Sequence, residues 1–78
     1  MNLSDIIPVF KSVFENEEIE ITAVTRAADI EEWDSINHIY LIVELEKVFK
    51  VKFSTLQIQS WTCVQDMIDD INRLQNAI

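Results

Sequence analysis

The chain contains no glycine. Small β-rich domains turn their chain at residues with positive φ, and glycine is the residue that reaches that region without steric cost. A hairpin meander or barrel without it lacks its usual turns. A helical domain needs only an occasional left-handed stop, and Asn or Asp can supply that. Pro8 is the single proline, so little in the chain interrupts a helix. The expectation is an all-α fold. At 78 residues, 49% of them hydrophobic, there is enough apolar surface for one packed core and too little chain for two. A single domain over residues 1–78 is therefore expected.

Apolar spacing divides the chain. Leu3, Ile6, Ile7, Phe10, Val13 and Phe14 recur three or four apart, which predicts a first helix. Ser4 is a candidate N-cap, Pro8 moves the expected start towards residues 5–7, and Asn16 is a candidate left-handed stop. Residues 15–34 carry eight acids and one base, and Ile19, Ile21, Val24 and Ile30 follow neither a helical nor a strand period. This reads as a long, partly packed first loop. A second helix is predicted from Ser35 to about Lys50. Ser54-Thr55-Leu56-Gln57 and Thr62-Cys63-Val64-Gln65 each have capping-box spacing, which predicts a short third helix and a long last one. The result is a small four-helix bundle with three long helices, a short third helix and a long first loop. Its predicted core is Phe10, Val13, Phe14, Leu41, Leu45, Phe49, Val64, Ile68 and Ile71.

The charge balance narrows the partners. Fourteen acidic residues against six Lys and Arg give a net charge of −8. Nucleic acid and anionic membranes both reward basic residues, so neither fits, whereas a basic protein surface does. One cysteine excludes a disulfide within the chain and a multi-cysteine metal site. Glu15, Glu17, Glu18 and Glu20 read as a solvated face, because oxygen ligands without EF-hand spacing do not make a designed cation site. No apolar run approaches the roughly 20 residues of a membrane span, and the opening residues lack the basic start and apolar centre of a signal peptide. A cytoplasmic monomer is expected.

The second helix carries two apolar stripes. At about 100° per residue, Leu41, Leu45, Val48 and Phe49 cluster on one side with His38 and Ile42 beside them. Ile36, Ile39, Tyr40 and Val43 centre on the opposite side, bordered by Glu44, Glu46 and Lys47. Either the helix is buried on both sides, or the second stripe is a solvent-facing patch that meets a partner.

Asp34-Ser35-Ile36 lies where the acidic loop meets this helix. A serine at a helix start is ordinarily an N-cap. Here the motif, its position, the chain length, the acidity and the helix pattern together resemble the acyl carrier proteins, over residues 4–77 or so. That family attaches 4′-phosphopantetheine to the serine of an Asp-Ser-Leu motif at the start of its second helix, and Asp34-Ser35-Ile36 matches with isoleucine for leucine. Leu41, Ile42, Leu45, Glu46 and Phe49 fit its second-helix pattern, and Thr62, Val64 and Ile68 fit the start of its last helix.

The resemblance implies a carrier rather than an enzyme. Ser35 would bear the arm, and a separate phosphopantetheinyl transferase would install it. The terminal thiol of the arm would hold acyl groups as thioesters for acyl-loading and acyl-transfer enzymes with basic surfaces, in fatty-acid, polyketide or other specialised biosynthesis. Asp34, Ile36, Ile39, Val43, Glu44 and Glu46 would meet those partners. Alternatives are a carrier of aminoacyl or peptidyl groups, and a helical interaction module in which Ser35 is merely a cap.

The chain departs from the family pattern at Trp33, where no glycine precedes the Asp-Ser pair, and at Asn37 and Tyr40, where many members carry acids. Its third helix is neutral, and Lys47, Lys50 and Lys52 make the end of the second helix basic. These differences imply a partner set distinct from that of housekeeping fatty-acid synthesis. Trp61 is expected in the core, Cys63 half-buried, and Trp33 either over the helix junction or against the arm.

Overall fold

The computed structural model describes residues 1–76. Among them there is no strand, and the helices run α1 (Leu3–Phe14), α2 (Ser35–Phe49), α3 (Thr55–Ser60) and α4 (Val64–Asn76). The fold is thus the expected all-α bundle with three long helices and a short third one. A single turn of 3₁₀ helix, Ala27–Asp29, interrupts the first loop.

α1 begins earlier than Pro8 suggested. Asn2, not Ser4, is the N-cap, and the Asp5 carboxylate accepts its backbone N–H at 3.0 Å. Pro8 lies inside the helix. The carbonyl it leaves without a donor belongs to Ser4, an exposed residue where water can replace the lost bond. The helix ends with Glu15, rather than Asn16, in the left-handed region at φ 51°. Asn16 is occupied otherwise: its side-chain amide donates to Glu32 Oε2 at 2.7 Å, and its Oδ1 accepts the Glu18 N–H. Lys50 closes α2 in the same way at φ 56°. Without glycine, each of these stops costs roughly 1 kcal/mol.

α1 packs against α2 and α4. Ile6, Phe10, Leu41, Leu45, Val64, Met67 and Ile71 are fully buried, each stabilising the fold by about 1.5–3 kcal/mol through the apolar surface it removes from water. Phe14, Ile68 and Val9 complete the helical part of the core. Two expected core residues lie at its margin: Val13 and Phe49 are only partly buried. Phe49 is the last residue of α2, where the chain turns away. Val48, on the edge of the core face towards Glu44, is 48% exposed.

The long loop supplies core that its irregular spacing did not reveal. Ile19, Ile21, Thr25 and Trp33 are buried, and Val51 joins them from the turn after α2. The loop also completes α4. The expected capping box at Thr62–Gln65 does not form. Instead the N–H of Val64 donates to the Thr25 carbonyl at 3.0 Å and that of Gln65 to the Ala23 carbonyl at 2.8 Å. Asp66, rather than Gln65, reaches back to accept the N–H and hydroxyl of Thr62 at 2.7 and 2.8 Å, and those bonds lower its pKa. The box at Ser54 does form: Gln57 N–H donates to Ser54 Oγ, and Ser54 N–H to Gln57 Oε1. Trp61 packs edge-on against Phe53 at the core margin and donates to Asp70 Oδ2 at 2.7 Å. Asp70 is itself buried and paired with Arg73 at 3.0 Å.

Candidate functional site

Ser35 is the first residue of α2, and the helix does not need it as a cap. Asp34 is the N-cap, with its carboxylate accepting the Asn37 N–H at 2.8 Å while its carbonyl accepts the His38 N–H at 2.8 Å. Among the described residues the Ser35 hydroxyl makes no hydrogen bond, and the side chain is exposed. The amides of Ser35 and Ile36 have no intrahelical acceptor, because the first N–H groups of a helix lie beyond the reach of its carbonyls. A negative group on the Ser35 oxygen would therefore sit at the positive end of a 15-residue helix.

The loop holds this helix start in place. Asn37 Nδ2 donates to the Glu32 carbonyl at 2.8 Å, which accounts for an amide at this position. Trp33 is 9% exposed, with its ring centroid 5.2 Å from that of Phe10 and 5.9 Å from that of Phe14. It therefore belongs to the core, although its edge also reaches the site. Its indole N–H donates to His38 Nδ1 at 2.9 Å, and the two rings lie 6.1 Å apart at 26°.

Trp33 and His38, with Ala27, wall two adjoining cavities. An open groove takes in Asp34 and Ser35. A more enclosed apolar space reaches Trp61, Cys63 and Met67. Cys63 is half-buried with a free thiol.

Burial holds the His38 pKa below its ordinary value of 6.5. The folded chain thus binds fewer protons than the unfolded one at pH values between the lowered pKa and 6.5. Stability from the neutral ring is fully present above that window and is lost as the pH falls through it. The denaturation midpoint in urea is expected to fall on acidification through this range in the wild type, and to fall less in His38→Gln. Equal pH dependence in the two chains would remove His38 as the cause.

The second stripe of α2 faces solvent. Ile36, Ile39, Tyr40 and Val43 are 64%, 61%, 60% and 55% exposed. In the isolated chain the helix is thus not buried on both sides. Glu44 and Glu46 border the strip and are half-buried. One oxygen of Glu46 accepts the Phe53 N–H at 2.9 Å, so this side chain also anchors the turn after α2. The sequence reading missed the Trp33–His38 hydrogen bond, since nothing in the spacing of an indole and an imidazole five residues apart announces it. Glu15, Glu17, Glu18 and Glu20 are exposed, and no cluster of metal-ligating side chains occurs among the described residues.

A helical bundle that presents one free serine hydroxyl at the start of an apolar-faced helix has the build of a carrier domain. The comparison with solved structures agrees. The fold matches the solution NMR structure of a holo acyl carrier protein from Geobacter metallireducens with a TM-score of 0.87 and 38% sequence identity, covering 92% of this chain and 83% of that one. The chain belongs to the acyl carrier protein family. Acyl carrier proteins are non-catalytic carriers that work with partner enzymes. No protein-family model and no curated protein matches the chain. No described helix is long and apolar enough to cross a membrane.

Proposed function

We propose that this chain carries acyl groups as thioesters on a 4′-phosphopantetheine arm attached to Ser35, and presents them to enzymes of fatty-acid, polyketide or other specialised biosynthesis in the cytoplasm. The observation that carries the reading is the division of labour at the start of α2. Asp34 caps the helix, which leaves the Ser35 hydroxyl exposed and without a structural role. The residues fit the arm. A phosphodiester at Ser35 would meet the free amides of Ser35 and Ile36 and the helix dipole. Beyond it the groove of Ala27, Trp33 and His38 offers a wall along which the arm can lie. The match to a holo carrier supports the same reading. Incubation with coenzyme A and a phosphopantetheinyl transferase is expected to add one arm, read as a single mass gain. No gain with any of several transferases would overturn it.

Partner enzymes would dock on Ile36, Ile39 and Val43, with Asp34, Glu44 and Glu46 guiding basic surfaces. Rim charges act mainly on the rate of encounter, whereas central apolar anchors set how long the complex lasts. Glu44→Lys is expected to slow arm transfer most at low salt, with the difference shrinking as salt screens the field. Val43→Asp is expected to impair transfer at every salt concentration while the circular dichroism stays that of the wild type. A Val43→Asp chain that folds and reacts at the wild-type rate would remove the strip from this encounter.

A further inference from the structure

The Trp33–His38 pair fixes more than the position of a loop. An indole N–H can only donate, so the Nδ1 that receives it at 2.9 Å must be the unprotonated nitrogen of the imidazole. The neutral ring then carries its proton on Nε2. Among the described residues that Nε2–H has no acceptor, yet His38 lines both the groove that begins at Ser35 and the enclosed space behind it. Trp33 cannot easily shift to release the ring, because it is wedged against Phe10 and Phe14. The sequence thus places a donor of fixed tautomer one helical turn from the serine, on the neighbouring part of the same helix surface.

We propose that Nε2–H of His38, held in this tautomer by Trp33, is a positioning donor for the prosthetic arm and takes the arm's first amide carbonyl as its acceptor. The inference rests on Ser35 as the attachment point. The chemistry selects a carbonyl. A donor with no acceptor capacity pairs best with a group that only accepts, and the first amide carbonyl lies a few bonds beyond the phosphate, within reach of a side chain one turn on. The indole and imidazole faces that wall the groove give the bond a partly apolar setting on one side. The Asp34 carboxylate, the one charged group lining the groove, is already engaged with the Asn37 N–H. His38 would therefore hold the root of the arm along the groove wall, so that the thiol end sweeps from a defined direction.

The test is NMR of the whole chain with nitrogen-labelled histidine, before and after arm addition by a transferase from coenzyme A carrying labelled amide carbonyls. The unmodified chain is expected to show the Nε2–H tautomer, and Trp33→Phe a mixture. Arm addition is expected to shift the Nε2 and its proton towards hydrogen-bonded values and to shift the first amide carbonyl with them. His38→Phe should lower the docked-to-free ratio of the arm about fivefold, the size of one neutral hydrogen bond, and His38→Gln should restore much of it through its side-chain N–H. A mixed or Nδ1–H tautomer in the unmodified wild type overturns the proposal, as do identical Nε2 signals with and without the arm. A chain that takes no arm overturns the carrier reading, and this inference with it. A chain that loads with unchanged His38 signals overturns this inference alone.

Discussion

Ser35→Ala is expected to gain no mass under conditions in which the wild-type chain takes up one arm. The loss should be complete, because under the proposed function the hydroxyl oxygen is the bonding atom and no neighbouring residue offers a substitute in the same place. The fold should not change. Asp34 supplies the cap through its contact with the Asn37 N–H, and Ser35 contributes only an exposed first helical residue, where alanine is well tolerated. Circular dichroism and the urea midpoint would therefore match the wild type. Equal mass gain in the mutant would move the attachment point elsewhere. The contrasting variant is Asp34→Ala, which keeps the hydroxyl and removes the cap, at about 1 kcal/mol. The two substitutions thus separate a chemical role from a structural one at adjacent positions.

The second large effect is expected at Phe10. The side chain is fully buried and meets Phe14 edge-on at 5.6 Å and Trp33 at 5.2 Å. Phe10→Ala removes the common partner of both rings and should cost about 3–5 kcal/mol. Against a total of about 5–15 kcal/mol for an ordinary domain, that is enough to unfold a substantial part of the population. Phe49→Ala should cost clearly less, since Phe49 is only partly buried at the end of α2. Urea denaturation of the two variants checks the order. A Phe10→Ala midpoint no lower than that of Phe49→Ala would misplace the centre of the core. Because Trp33 packs on Phe10, its hydrogen bond to His38 should also weaken in that variant.

What was legible in the sequence was whatever repeats with the period of a helix. Phe10, Leu41, Leu45, Val64, Ile68 and Ile71 stand in register with neighbours three or four residues away, so their burial follows from spacing. Ile36, Ile39 and Val43 were legible for the same reason as a second apolar stripe half a turn from the core, but spacing left open whether that stripe was buried, and the packing is what exposes it. Ile19, Ile21 and Val51 are buried by tertiary contacts of irregular backbone, which leave no period to find. The start of α3 was read from the box that Ser54 closes. The start of α1 was misread because Pro8 drew attention from the local box of Asn2 and Asp5, and the cap of α4 was misread because its acceptors are distant. Thr62 had the right residue type for a box, but the amides it would have served were taken by Ala23 and Thr25. At the site, the Asp-Ser-Ile motif gave the position of the serine. That Asp34 rather than Ser35 serves as the cap is a matter of backbone geometry.

The two carbonyls that the loop lends to α4 tie the birth of the last helix to the arrival of a distant segment. The first turn of a helix is the costly step, and here it is completed by acceptors from far earlier in the chain. Loop and α4 should then open and close as one cooperative unit, with the amides of Val64 and Gln65 exchanging with solvent at the rate at which the loop detaches. The cavity behind His38 lies at this same seam, between Ala27 of the loop and Met67 of α4. Anything an arm on Ser35 brought to that seam would be weighed directly against the closure of loop and helix, so occupancy of the cavity and the breathing of the loop would be thermodynamically linked.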